Sequence, residues 1–246
     1  MRAEGAVSSI EIQGVTRRYG DLVVLDSLSL RAEAGEVVAV VGPSGCGKST
    51  LLEVACALQV PDAGTVRGGP ATLMPQRDAL LPWLSAQDNA ALPLRIAGAG
   101  RDEARSRVRP YFEPFGIAGF EEARPRALSG GMRQRVAFLR TLMAGTPVLC
   151  LDEPFGALDA LTRVQMQAWL AATLEREPRT VLLVTHDVEE AAVLGDRVVI
   201  LSPRPGRVVC TLEVRAPRPR RRTDPAVVET AAAGLAALGV GGEVTV

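Results

Sequence analysis

Three short runs in this chain are apolar almost without interruption: "VVAVV" at residues 37–41, "VLCL" at 148–151 and "VLLV" at 181–184. A strand with one covered face alternates apolar and polar residues. Runs this uniform predict strands buried on both faces, as in a parallel sheet sandwiched between helices. Each run stops at polar residues: "GPSGCGKST", "DEP" and "THD". In open parallel sheets ligands lie outside the carboxyl ends of the strands. Three clusters far apart in sequence are therefore expected to converge on one edge of one sheet, in a chain of the α/β class.

The rest of the chain is arranged around those runs. "SIEIQGVTRRYG" and "VVLDSLSLRAEAGE" alternate apolar and polar residues, as half-buried strands do. Residues 85–144 read as a helical insertion between the first and second apolar runs: "SAQDNAALPLRI", "RDEARSRVRPYFEPF" and "SGGMRQRVAFLRTLMAG". Within the last, Met132, Val136, Leu139 and Met143 recur at helical spacing and are expected to face the core. Residues 216–246 change character: a Pro/Arg stretch, "RPRRR", precedes an Ala-rich helix expected from about Asp224. That stretch reads either as a solvated linker or as a contact with anionic headgroups or a partner. No internal repeat is visible.

The first strand-end cluster carries the most specific chemistry. Gly42, Pro43, Ser44, Gly45, Cys46, Gly47, Lys48, Ser49 and Thr50 fit the pattern GxxxxGK(S/T), and Lys48 is the only lysine in a chain with 27 arginines. Glycines let backbone N–H groups turn inward around phosphate oxygens, and the helix that follows adds its N-terminal dipole. Lys48 reaches the β- and γ-phosphates and Ser49 suits Mg²⁺ in that motif. At average composition the pattern arises by chance in roughly one such chain in a hundred. It points to a nucleotide without separating a kinase, a GTPase and an ATPase.

The other two clusters narrow the choice. Adjacent residues leaving a strand point in different directions, so Asp152 suits a metal shell while Glu153 can face a water attacking the γ-phosphate as general base. Alone, Asp-Glu-Pro is more often a solvated turn; beside a phosphate loop the catalytic reading wins. His186, the only histidine, follows the third run at the same sheet edge, placed to donate to the γ-phosphate or hold the attacking water. In the insertion, Ser129 is a good N-cap, and Gly130 and Gly131 leave backbone N–H groups open at a helix start, again suiting phosphate. One chain would struggle to bring both helix starts to one nucleotide; two chains head to tail would do so twice.

Bulk properties exclude several classes. Formal net charge is zero, so no global field favours nucleic acid or a membrane surface. "MRAEGAVSS" lacks the apolar stretch of a signal peptide, and no apolar run approaches the roughly 20 residues of a membrane span. The expectation is a cytosolic chain. Cys46, Cys56, Cys150 and Cys210 form no close pair, and no structural disulfide is expected.

In order and spacing, "GPSGCGKST", "LSGGMRQR", "LCLDEPFGALD" and "VTHD" resemble the ATP-binding subunit of an ABC transporter, over roughly residues 9–215. "LLPWLSAQDNAALPL", "DEPFGALDALTR" and "SPRPGRV" look like the nitrate/sulfonate/taurine branch of bacterial importers. The resemblance implies a P-loop NTPase (RecA-like) core with an N-terminal antiparallel β-subdomain and an inserted helical subdomain, followed by a C-terminal extension. It implies that Tyr19 stacks on adenine and that Gln76 is the Q-loop glutamine touching Mg²⁺. Ser129, Gly130 and Gly131 would grip ATP held by the other subunit, and Asp159 would be the D-loop aspartate. Glu153 and His186 take the base and switch roles already read from their positions. ATP and Mg²⁺ are the implied cofactors. The implied partners are a second ATP-binding subunit (a homodimer), a membrane permease and, indirectly, a substrate-binding protein, with the chain on the cytoplasmic face of the membrane and no nucleic acid. Departures are few: Ala57 stands where a glycine is common, and Leu139-Arg140-Thr141-Leu142 replaces the usual Ala-Arg-Ala-Leu. The rivals are an exporter or lipid-trafficking ATPase, a soluble ATPase acting on DNA or ribosomes, and a degenerate nucleotide-binding regulator.

Overall fold

The structure, a computed structural model, describes residues 8–239. In chain order the elements are β1 (Ile10–Tyr19), β2 (Leu22–Ala32), β3 (Val37–Val41), α1 (Lys48–Ala55), β4 (Ala63–Gly68) and β5 (Ala71–Met74). Then follow α2 (Ala86–Ile96), α3 (Arg101–Val108), α4 (Gly130–Met143), β6 (Val148–Asp152), α5 (Ala160–Arg176) and β7 (Thr180–Thr185). The chain closes with α6 (Val188–Leu194), β8 (Arg197–Leu201), β9 (Val208–Glu213) and α7 (Pro225–Ala237).

The expected uniform runs form the middle of a six-stranded sheet ordered β5-β6-β7-β3-β8-β9, parallel except for β9. Every residue of β3 is buried, and successive residues serve different cores. Val37, Ala39 and Val41 pack with the helices of one face, while Val38 and Val40 pack with α1 and the N-terminal strands on the other. That division is the two-residue period of a strand covered on both sides. The half-buried strands form a separate antiparallel sheet, β2-β1-β4, whose apolar side closes the second core.

The insertion is helical, with one difference from expectation. The segment "RDEARSRVRPYFEPF" stays α-helical only to Val108 and then tightens into a 3₁₀ turn at Arg109–Tyr111. Pro110 has no N–H for an α-helical bond, which ends the helix. In α4, Val136 and Leu139 are fully buried, and Met132 and Met143 pack against the same core.

The tail is not a solvated linker. Arg220 is 8% exposed and donates to the carbonyls of Gly195 (2.6 Å) and Ala216 (2.7 Å) and to Asp196 Oδ1 (3.2 Å). Arg218 pairs with Asp196 Oδ2 at 3.1 Å. With the backbone turned by these two arginines, α7 lies on α6, where Val227 and Ala231 enter the main core. The approach is close: a Cβ on Gly234 would sit 2.6 Å from Val188 Cγ1. Among the described residues no helix is long and apolar enough to cross a membrane.

Candidate active site

Register fixes the convergence. β3 lies between β7 and β8, and β6 lies beside β7, so the segments leaving β3, β6 and β7 emerge side by side. Between them and the edge of β1 and β2 opens a cavity of about 360 Å³. Its lining includes Tyr19, Ser44, Gly45, Gly47, Lys48, Ser49, Thr50, Gln76, Asp152 and Glu153. A larger hollow, about 630 Å³ between β9 and α7, has neither a glycine loop nor a strand-end carboxylate.

The loop from Gly42 to Gly47 is shaped by its glycines. Gly45 and Gly47 have φ of +75° and +109°, conformations that other residues rarely adopt. Gly42 sits so close to Cys46 Sγ that an added Cβ would meet it at 2.9 Å, so Cys46 is turned inward and 1% exposed. Lys48 begins α1 and is 8% exposed, with Nζ donating to the carbonyls of Gly42 (2.7 Å) and Pro43 (3.0 Å). Its ammonium is thus held over the loop by backbone oxygens rather than by a carboxylate.

Beyond the loop sit the two acids. Asp152, the last residue of β6, is 5% exposed, and burial pushes its carboxyl up while a hydrogen bond with Ser49 pulls the other way. Glu153 has φ +47°, a left-handed conformation that costs a non-glycine residue about 1 kcal/mol or more. Its N–H donates to Val184 O at 2.9 Å, which pins that turn to β7. The carboxylate is held at both oxygens: Gln76 Nε2 lies 3.2 Å from Oε2, and His186 Nδ1 lies 3.3 Å from Oε1. From the helical arm, buried Gln134 donates to the carbonyl of Pro154 at 3.4 Å, coupling α4 to the same turn. Gln134 was not singled out from sequence; its place in "SGGMRQR", one helical turn beyond the glycines, is the only signal there.

Tyr19 ends β1 at the cavity rim, 45% exposed, with its hydroxyl donating to Gln59 Oε1 at 2.7 Å and the Arg17 guanidinium 4.9 Å from its ring centroid. The other expected residues lie elsewhere on this chain. Ser129 caps α4, accepting from Met132 N at 3.2 Å, with Gly130 exposed beside it. Asp159 caps α5, accepting from the N–H (3.0 Å) and hydroxyl (2.7 Å) of Thr162. None of these three lines the cavity of its own chain, nor does Gly131. Sequence reasoning missed Arg204, which does line it and donates from Nε to Gly45 O at 2.9 Å.

An arrangement of this kind can surround a polyphosphate with backbone N–H groups and one ammonium, and present a positioned carboxylate to a water at its far end.

Comparisons with known proteins agree with that chemistry. The family model described as ABC transporter matches residues 25–156. An aliphatic sulfonates import ATP-binding protein of Rhodococcus jostii is 46% identical over 222 residues, covering 87% of each chain. A formylaminopyrimidine import ATP-binding protein of Halalkalibacterium halodurans is 46% identical over 185 residues, 74% of each. Among solved structures, the dimeric post-hydrolysis state of the ATP-binding cassette MJ0796, bound to ADP and Pi, superposes with a TM-score of 0.77 at 29% identity, over 84% of this chain and 99% of that one.

Proposed function

The chain belongs to the ABC transporter family of ATPases, and from there we propose that it is the ATP-hydrolysing subunit of an importer, working on the cytoplasmic face of the membrane beneath a separate permease. The observation that carries this reading is the single cavity joining the phosphate loop of β3, Asp152 and Glu153 of β6, and Gln76. In it the loop Gly42–Thr50 binds the phosphates, Lys48 offers its ammonium to the β- and γ-phosphates, and Tyr19 takes adenine against its ring. Glu153 is the general base, and His186 orients the water or the γ-phosphate.

Mg²⁺ fits the donors present: Ser49, Asp152 and Gln76 line the same cavity, and hydroxyl, carboxylate and amide oxygens are the hard donors this ion prefers. Ser49, Asp152 and Gln76 would hold it. Bound there, it would neutralise charge developing on the phosphates.

Ser129, Gly130 and Gly131 do not line their own chain's cavity, and the dimeric cassette gives a precedent for two chains meeting. We assign them, with Asp159, to the nucleotide of a second, identical subunit. A substrate-binding protein would deliver the solute to the permease. The two import relatives point to an aliphatic sulfonate or a formylaminopyrimidine, and the branch resemblance adds taurine and nitrate.

The test is recovery of a tagged Glu153→Gln chain from detergent-solubilised membranes of the native organism in the presence of ATP, with companions identified by mass spectrometry. A multi-span permease is expected. Recovery with ribosomal or DNA-binding proteins alone would sink the importer reading and leave the ATPase chemistry intact.

A further inference from the structure

The loop between β8 and β9 is built more firmly than a hairpin connection requires. Ser202 N donates to Arg207 O (2.9 Å), and Ser202 Oγ donates to Pro205 O (2.8 Å) and accepts from Arg207 N (3.0 Å). The whole loop is stitched to β2: Gly206 N donates to Val24 O at 2.8 Å, Asp26 N donates to Gly206 O at 3.2 Å, and Arg207 pairs with Asp26. Gly206 also lies against the carbonyl of Cys46, where any side chain would collide. These contacts press the loop onto the phosphate loop and deliver Arg204 to its outer edge. There Nε donates to Gly45 O at 2.9 Å, in space that a side chain at position 45 would take, since a Cβ on Gly45 would lie 2.9 Å from Nη2.

Two features separate Arg204 from an ordinary surface arginine. Its neighbour Arg207 is paired with Asp26, whereas Arg204 has its single hydrogen bond to Gly45 and no carboxylate among the described residues. The cavity lining also holds only one other cation, Lys48, against Asp152 and Glu153. Lys48 spends two of its three N–H donors on loop carbonyls, so most of the free cationic donors of the cavity are those of Arg204. A planar guanidinium with unpaired N–H groups is the side chain that best matches phosphate oxygens.

The sheet order says which end of a nucleotide it meets. Glu153 and His186 reach the site from β6 and β7, on one flank of β3; Arg204 comes from β8, on the other. Its loop is bound to the stretch of β2 where Val24 lines the cavity, as Leu22 and Tyr19 also do. We propose that Arg204 is a nucleotide-contacting residue whose guanidinium binds phosphate oxygens at the base-proximal end, those that ATP and ADP share. The proposal rests on reading this cavity as the nucleotide site.

The test is binding of the full chain to trinitrophenyl-ATP, with ATP and ADP as competitors, in EDTA so that no turnover occurs. Arg204→Gln is expected to weaken ATP and ADP alike, each by about tenfold, the worth of one charge-assisted hydrogen bond. Both affinities should also become less salt-dependent, because one screened charge contact is gone. Unchanged affinities, or a loss for ATP alone, overturn the proposal. Lys48→Ala, run in parallel, separates the two readings. If it weakens binding while Arg204→Gln does not, only the role of Arg204 falls; if neither weakens it, the cavity reading falls with it.

Discussion

The starts of α1 and α4 both carry glycines and offer open N–H groups, and they differ in what surrounds them. The start of α1 is enclosed: Lys48 is buried, Asp152 and Glu153 stand opposite, and β1 and β2 wall one side. The start of α4 is bare: Ser129 and Gly130 are exposed, and a Cβ on Gly130 would meet nothing nearer than Arg133 Nη2 at 3.8 Å. The same local device is thus used once inside a complete pocket and once on an open face. An enclosed helix start can bind by itself, whereas an open one needs a second body to supply the remaining walls. On the proposed reading, the first is a site within one chain and the second is half of one.

The largest expected effect tests the enclosed half. Glu153 is fixed from three sides, by Val184 O on its N–H and by Gln76 and His186 on its carboxylate. Such effort on one side chain suits a general base, and Glu153→Gln should lower steady-state phosphate release by about 10²–10⁴-fold. ATP affinity should stay near wild type, because the cradle is untouched. Phosphate release near the wild-type rate would show that Glu153 is not the base.

The next variant attacks the open half alone. Gly130→Asp fits sterically, since its surroundings are empty, and a carboxylate at a helix N-terminus is favourable by about 0.3–1 kcal/mol. The lone chain should therefore fold and bind ATP as before. Facing the γ-phosphate of a partner's nucleotide, the same charge repels, and hydrolysis and ATP-driven dimerisation should both fall by at least about tenfold, one like-charge contact being worth more than 1 kcal/mol away from bulk water. Size-exclusion chromatography with ATP, beside nucleotide titration, reads the two separately. Weakened ATP binding by the monomer would mean that the two helix starts are not independent.

The comparison also explains what the sequence could and could not tell. The enclosed site was legible because strand ends announce themselves: an apolar run, then glycines or acids, repeated at β3, β6 and β7. Ser129 was legible as the cap of a helix start, and it is the N-cap of α4, apart from the cavity as its place in the insertion suggests. Arg204 was not, because "SPRPGRV" spoke only for the branch, and nothing in it points to the phosphate loop until the β8–β9 loop is seen folded over Gly45. Arg220 was hidden in the same way, reading as a solvated linker until Asp196 and the Gly195 carbonyl came into view. Ala57 runs the other way. It was noted only as standing where a glycine is common, and its φ of +56° gives the physical reason glycine suits that position.

The smallest effect concerns how the arm bearing the open half is held. The core rests on a sheet buried on both faces, but the junction of α2 and α3 rests on charge. Asp88 accepts from Arg105 Nε (2.7 Å) and Nη2 (2.9 Å) and from Arg101 Nη2 (2.9 Å), while Arg105 also reaches Glu122 at 2.9 Å. The hydrogen bonds from Arg105 hold the Asp88 carboxyl well below the usual carboxylate range, with burial opposing. A carboxylate whose folded pKa is depressed stabilises the fold fully above its unfolded pKa, about 4, and loses that contribution as pH falls towards the folded value. Asp88→Asn should cost about 1 kcal/mol at pH 7, a fall of roughly 2–4 °C in Tm. Below about pH 4 the gap between wild type and variant should narrow, because the unfolded chain then takes up a proton that the folded carboxylate refuses, and it closes only as pH nears the folded value. Thermal melts from pH 7 down to pH 3 read this directly. A gap of constant size across that range would mean that Asp88 holds the arm by shape rather than charge.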